Sequence, residues 1–311
     1  MSINLDYIIP PVDRNLIHKE LNDSTFVRTT NKGNNEIYII NHHNSPHTMR
    51  EIGRLRELSF ASSGGGTGKE IDIDEHDTSE NCYQQLIVFS PEDDEIVGGY
   101  RFIDGNTIKD FSKDELSTQH YFNFSEDFIK RFLPKTIELG RSWIQPMFQP
   151  SQGSRKGIFS LDNLWDGLGA IAVDYKHVNY FFGKVTMYTN FETESRNAIL
   201  TFMHHYFPDS QRLVLPIHPI EDFTNKEIKE TIKDLDFKEG LRELSKYVRE
   251  RGENIPPLIN QYMQLTSTMK TFGTAINPDF GGVEETGILV RISDIYESKK
   301  ARHIDTYEPT N

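Results

Sequence analysis

The chain has 311 residues, of which 36% are hydrophobic, 11% aromatic and 26% charged, with a formal net charge of −13. That is material for a substantial core in one large domain or two small ones. The acid excess argues against general nucleic-acid binding, which needs a basic surface to displace counterions, and an acidic protein partner would have to find a local basic patch. No apolar run is long enough to span a bilayer, and the opening MSINLDYIIPPVDRN lacks the basic start and apolar core of a signal peptide, so the expected location is the cytoplasm. The single Cys82 cannot form an internal disulfide.

Residues 1–44 read as an irregular arm with turn signals (PP, NKGNN) and one short strand, EIYII at 36–40. SPHTMREIGRLRELSF then predicts a helix over 46–60, with Ser45 as N-cap and Pro46 in the first helical position. At 100° per residue, Met49, Ile52, Leu55, Ser59 and Phe60 fall on one arc, with Arg50, Arg54 and Glu57 opposite. Arg56 falls inside the apolar arc, either as a buried charge or with only its stem buried.

The next segment, ASSGGGTGKEIDIDEHD, fails as a phosphate-binding loop. Ser63 stands where the leading glycine belongs, Glu70 where the hydroxyl belongs, and a helix precedes it in place of a strand. Gly64, Gly65, Gly66 and Gly68 are therefore expected to form a mobile loop. The run Asp72, Asp74, Glu75 and Asp77 lacks the glycine and terminal glutamate of a calcium loop, which leaves a solvated loop as its plain reading.

Two strands, YQQLIVF (83–89) and EIVGGYRFI (95–103), pair across SPEDDE. Arg101 is a charge in an apolar strand, and Gly98 and Gly99 beside it predict that something approaches the backbone closely. A helix near 125–133 leads to TIELGRSWIQP (136–146), a buried-strand pattern interrupted by Glu138 and Arg141. Residues three apart on a regular strand face opposite sides, so a bulge at Gly140 is needed to bring the two charges to one face. There they would form either a salt bridge at a strand end or part of a site.

SLDNLWDGLGAIAVDYKH predicts an amphipathic helix with Ser160 as its N-cap; strands at 179–189 and 212–217 flank a helix at 193–206. Residues 224–268 read as two or three helices, TGILVRI (286–292) as a late strand, and ESKKARHIDTYEPTN as a frayed tail. This order implies an α/β or α+β fold with a mainly antiparallel sheet, organised as an arm (1–44), a core (45–218) and a C-terminal helical segment with a closing strand (219–311) integral to the same domain. His42, His43, His47, His204 and His205 lack metal-site spacing, and no G-x-S-x-G elbow is present, so neither a metal nor a serine hydrolase is expected.

Together, RLRELSF, DIDEHD, EIVGGYRFI and IELGRSW resemble the succession in acyl-homoserine-lactone synthases and in the bacterial ornithine- and glycine-lipid N-acyltransferases, members of the GNAT-like acyltransferase fold, over roughly residues 46–190. LDNLWDGLG, YFFGKVTMYTNF and PPLINQYMQL followed by NPDFGGVEETGILVRI are more similar to the lipid-forming branch. The resemblance implies catalytic roles for Glu138, Arg141 and Arg101, and substrate contacts by Arg56, Phe60, Asp74 and Asp77. The chain departs from the pattern at His76, where an aromatic residue usually precedes the second aspartate, and at Tyr83, Gln84 and Gln85, where the lipid enzymes carry an Asp-His pair.

The implied activity moves a fatty acyl group from a thioester to the amine of ornithine or glycine, the first step of aminolipid synthesis, with no bound cofactor. The co-substrate is acyl-acyl carrier protein or acyl-CoA. The carrier protein is favoured because QPSQGSRKGIFS does not match the R/Q-x-x-G-x-G/A pyrophosphate loop of CoA-dependent GNAT enzymes. Arg155 and Lys156 would meet the phosphate of the carrier's phosphopantetheine arm, or form a solvated basic turn. A lactone synthase using S-adenosylmethionine and a non-catalytic acyl- or carrier-binding module are the other readings, and peripheral membrane contact is compatible with all three.

Overall fold

The computed structural model describes residues 5–149 and 157–309. In chain order the regular elements begin with α1 (Arg14–Glu20), β1 (Phe26–Thr29), β2 (Glu36–Ile40), α2 (Pro46–Ala61), α3 (Glu75–Thr78), β3 (Gln84–Ser90) and β4 (Glu95–Asp104). There follow β5 (Phe122–Phe124), β6 (Thr136–Ile144), α4 (Ser160–Asp174), β7 (Tyr180–Met187), α5 (Thr193–Tyr206) and β8 (Val214–Pro216). The chain continues through α6 (Lys226–Ile232), α7 (Phe237–Glu250), α8 (Pro257–Met263), β9 (Lys270–Asn277), β10 (Val283–Arg291) and α9 (Glu297–His303). They fold into two compact units, one of Met1–Ser117, Pro134–Val178 and Glu297–Asn311, the other of Thr118–Leu133 and Asn179–Tyr296. Among the described residues no helix is long and apolar enough to cross a membrane.

In the first unit β1, β2, β3, β4 and β6 form an antiparallel sheet in that order. Neighbouring residues of β3 turn to opposite faces. Leu86 meets α4 so closely that a Cβ on Gly167 would lie 2.6 Å from its Cδ1, whereas the next residue, Gln85, turns toward the side chains reached from α2. The sheet is thus covered on both faces. Gly98 and Gly99 do mark a close approach, and what approaches is the neighbouring strands: added Cβ atoms would sit 2.4 Å from the Trp143 carbonyl and 2.6 Å from the Leu86 carbonyl.

The N-terminal arm is more regular than its turn signals suggest, since it supplies α1 and the two outer strands of this sheet. It also caps α2. Ser45 stands at the N-cap, but its buried hydroxyl makes no capping bond; the Glu20 carboxylate accepts from His47 N–H at 3.0 Å, Thr48 N–H at 2.7 Å and the Thr48 hydroxyl at 2.7 Å. Negative charge at this helix end is favoured by the helix dipole and by the unpaired first-turn N–H groups. Helix α4 begins at Ser160 with Phe159 as its N-cap, and the Ser160 hydroxyl donates to the Phe148 carbonyl.

The tail is not frayed. It forms α9, whose buried His303 lies 2.7 Å through Nδ1 from Asp166 Oδ1 on α4. Asp166 also accepts from the Asn31 backbone and side chain. Gly169 lets this helix dock, because a Cβ there would lie 2.0 Å from the His303 carbonyl oxygen.

In the second unit β7, β10 and β9 are antiparallel in that order, and β5 pairs with β8 in a separate ladder. Strands β5 and β9 have no clear alternating pattern, and the segment near 125–133 closes a π-type turn at Phe128–Phe132.

Candidate active site

The bulge expected at Gly140 in β6 exists, displaced by one residue. Gly99 pairs with Trp143 but Arg101 pairs with Gly140, so β6 carries one more residue than β4 across this interval. The irregular residue is Arg141, at φ +45°, a left-handed conformation that costs a side-chain-bearing residue on the order of 1–3 kcal/mol. Its guanidinium shows what holds it there: Arg141 Nε donates to Asp72 Oδ2 at 2.8 Å and Nη2 to Asp72 Oδ1 at 3.2 Å, a two-pronged clamp.

Asp72 is fully buried and shared. Arg56 of α2 donates from Nε to the same Oδ2 at 3.0 Å, and from Nη1 to both oxygens of Asp77 at 3.2 Å. Arg101 of β4 donates from Nη1 to Asp74 at 2.9 and 2.8 Å and to Asp77 Oδ2 at 3.3 Å. Gln85 adds an amide N–H to Asp77 Oδ1 at 3.0 Å.

Three guanidiniums and three carboxylates therefore alternate through one cluster between α2 and the sheet. The backbone prepares it. Gly53 of α2 lets residues 71–73 lie against the helix, with a Cβ there only 2.7 Å from Ile73, and the Asp72 N–H donates to the Gly53 carbonyl. One turn of α3 then aims two aspartates at once through a reciprocal capping box between Asp74 and Asp77.

Glu138 lies beside this cluster, 1% exposed. Its Oε1 accepts from the Tyr83 hydroxyl at 2.7 Å and from the Ser117 hydroxyl at 2.8 Å, while the Ser117 N–H donates to the Tyr83 oxygen at 2.9 Å. The Arg101 guanidinium sits 4.9 Å over the Tyr83 ring, joining the two groups, and His76 meets that ring edge-on. Phe60 is buried one turn beyond Arg56 on α2.

Residues 55–156 match the family model described as acetyltransferase (GNAT) domain. The glycine N(alpha)-acyltransferase of Bacteroides thetaiotaomicron is 50% identical over 307 residues, spanning 97% of this chain and 91% of its own. That of Phocaeicola vulgatus is 48% identical over 306 residues, 97% of this chain and 94% of its own. The chain belongs to this N-acyltransferase family. Among solved structures, a CoA-dependent acyl-homoserine lactone synthase, MesI, aligns over 88% of this chain and 96% of its own at 11% identity and a TM-score of 0.36, too slight a likeness to weigh on mechanism. Membership sets aside the non-catalytic module: this is an acyltransferase with a GNAT domain.

The acyltransferase thus brings together six of the seven polar and aromatic positions singled out in its sequence around buried charge, with Phe60 packed on the same helix; Arg155 and Lys156 lie outside the described residues. Asp72, Tyr83, Gln85 and Ser117 are the members that sequence reasoning missed. The acidic run is not a solvated loop, since Asp72 and Asp77 are 1% and 0% exposed; the signal was the buried arginine of α2, which demands carboxylates. Tyr83 and Gln85, two of the departures from the lipid-enzyme pattern, are built into the site, one on Glu138 and one on Asp77. The glycine-rich loop is tied to α2: Glu57, on the helix side expected to face water, is buried and accepts from Thr67 N–H, the Thr67 hydroxyl, Gly68 N–H and the Tyr7 hydroxyl.

Burial pushes the Asp72 carboxyl up, but Arg141 and Arg56 more than offset this and hold it below the usual aspartate range. Asp77 is likewise lowered against its burial by Arg56 and Arg101. Burial and then the Glu138 charge push the Tyr83 phenol well above its ordinary value, so it stays a donor. Because both aspartates ionise more readily folded than unfolded, the stability they contribute is fully present above the unfolded value near 4 and is lost as pH falls below it. Urea unfolding followed from pH 7 to 3 should show stability falling below about pH 4, with a shallower fall in Asp77→Asn. An equal fall in the variant would show that the cluster is not the source.

Proposed function

We propose that the enzyme transfers a fatty acyl group from a thioester on acyl carrier protein to the amine of glycine, the first step of aminolipid synthesis. The observation that carries the acceptor is the roughly 50% identity, over nearly the whole chain, to two enzymes named glycine N(alpha)-acyltransferase. The amine nitrogen attacks the thioester carbonyl, the carbonyl oxygen takes negative charge, and the C–S bond then breaks to release the thiol and leave an amide.

A neutral amine is required for the attack. Glu138, fixed through Oε1 by Tyr83 and Ser117, is the base for its proton or holds the water that is. Arg56 and Arg101 are buried and donate to the cluster's own carboxylates, Arg56 to Asp72 and Asp77 and Arg101 to Asp74 and Asp77, which suits them and the buried Asp77 to holding the site's shape. Asp74 and Arg141 form the cluster's accessible edge, with side chains 30% and 14% exposed and Arg141 Nη2 3.7 Å from Asp74 Oδ2. One carboxylate and one guanidinium side by side match the two ends of zwitterionic glycine, the ammonium to Asp74 and the carboxylate to Arg141.

Purified enzyme given long-chain acyl-acyl carrier protein with glycine, ornithine or S-adenosylmethionine in separate reactions should yield N-acylglycine by mass spectrometry. An acylornithine or a lactone in its place would overturn the acceptor. Turnover with acyl-CoA but none with the carrier thioester would overturn the donor.

A further inference from the structure

Helix α7 buries Gly240, Leu244, Tyr247 and Val248 and turns Lys238, Arg242, Lys246 and Arg249 to solvent. At 100° per residue the four cations fall within an arc of about 80°. Among the described residues none of them has an ion-pair partner, although Glu239, Glu243 and Glu250 stand on the same helix. Lys130, Lys233 and Lys300 elsewhere in the chain each pair with an acid one turn away. Lys238, Arg242 and Lys246 follow one another at i, i+4 spacing, a like-charge arrangement that weakens a helix. In a chain of net charge −13 this is a concentrated patch of the minority sign.

The patch borders a concavity. Leu241 and Ser245 of α7, with Asn260 and Gln264 from α8 and its C-cap, line a groove of about 570 Å³ together with the four cations and a single acid, Glu250, at the end of α7. We propose that this groove and its basic rim dock the acidic carrier protein, one of whose negatively charged helices lies along α7. The inference rests on the carrier thioester being the donor. Opposite charge aligned along one helix face steers encounter and fixes register, and it would relieve the repulsion within the stripe. A membrane surface fits less well, because a helix that lies in lipid inserts an apolar face; the apolar face of α7 is turned into the protein and Leu241 is the one aliphatic residue in the groove.

The test compares the wild-type chain with the charge reversal Lys238→Glu/Arg242→Glu/Lys246→Glu and with the neutral Lys238→Gln/Arg242→Gln/Lys246→Gln. All three positions are exposed on the side of α7 away from its core. The donors are acyl-acyl carrier protein and a small acyl-N-acetylcysteamine thioester. For the charge reversal the KM for the carrier substrate should rise on the order of 10- to 100-fold, with a smaller rise in the neutral variant, while turnover of the small thioester is unchanged. The wild-type KM should climb with salt and the variants' should not. A carrier KM unchanged in both variants overturns the docking site while leaving the donor reading intact. Unchanged KM with lost binding to anionic phospholipid vesicles assigns the stripe to a membrane instead. Equal losses with both donors in the neutral variant also overturn it, and a wild-type enzyme that ignores the carrier thioester removes the donor reading and this inference together.

Discussion

Glu138→Gln should lower kcat by about 10²- to 10⁴-fold, the usual contribution of a positioned acid or base, with little change in thermal unfolding. The substitution keeps the shape of the side chain, and the amide oxygen can still accept from the Tyr83 and Ser117 hydroxyls that now meet Oε1 at 2.7 and 2.8 Å. What it removes is the capacity to take a proton. Tyr83→Phe removes one of the two donors and leaves the carboxylate, so a smaller loss, roughly 10-fold, is expected from a misplaced base. The two variants together separate chemistry from placement. Near-full turnover in Glu138→Gln would remove Glu138 from the mechanism, whatever the tyrosine variant does.

Asp72→Asn should destabilise the fold by about 3–5 kcal/mol, the range seen when one partner of a buried ion pair is removed. Against a total stability of about 5–15 kcal/mol, that is a large share. Asp72 lies between two guanidiniums and receives three N–H bonds from them. A neutral amide cannot balance both charges, and its own N–H₂ would face Arg56 or Arg141 as a donor against donors. Arg56, with no exposed side-chain surface, has no water to turn to. Arg141 loses the anchor that holds its backbone at φ +45°. Urea unfolding measures the loss, and a second variant checks its cause: Asp72→Asn/Arg141→Gln should be less destabilised than the two single changes summed, with a coupling of roughly 0.5–3 kcal/mol. Strict additivity would show that the clamp is not what stabilises the bulge.

Much of this site was legible before any coordinates, because buried charge is improbable and therefore conspicuous. Arg56 within an apolar helical arc, Arg101 in an apolar strand, and Glu138 and Arg141 three apart in a third strand each violate the local pattern, and a fold tolerates such violations only when they meet. What escaped was whatever violates nothing. Tyr83 and Ser117 are ordinary residues for a strand edge and a turn, and only the pairing of β4 with β3 on one side and β6 on the other brings their hydroxyls to Glu138. Asp72 lies in an acidic run whose composition suits a solvated loop, and its burial depends on Gly53 allowing close approach to α2. Glu57 misled for the opposite reason: helical periodicity placed it toward solvent, but the glycine-rich loop folds back over that side and supplies it with donors. Elements at the edges were the hardest to foresee. Helix α9 is short and mostly charged, and its docking rests on one histidine, one aspartate and the missing side chain of Gly169.

The threading of the chain through its two units has a consequence for biosynthesis. The first unit is assembled from three stretches, and its last, beginning at Glu297, emerges from the ribosome after the whole of the second. Until then Asp166 has no His303 to face and the notch at Gly169 stands open, although the arginine–aspartate cluster is already fully translated. The nascent protein can therefore form this buried charge cluster early yet must wait for α9 to cover α4, an interval in which that part of its surface stays exposed.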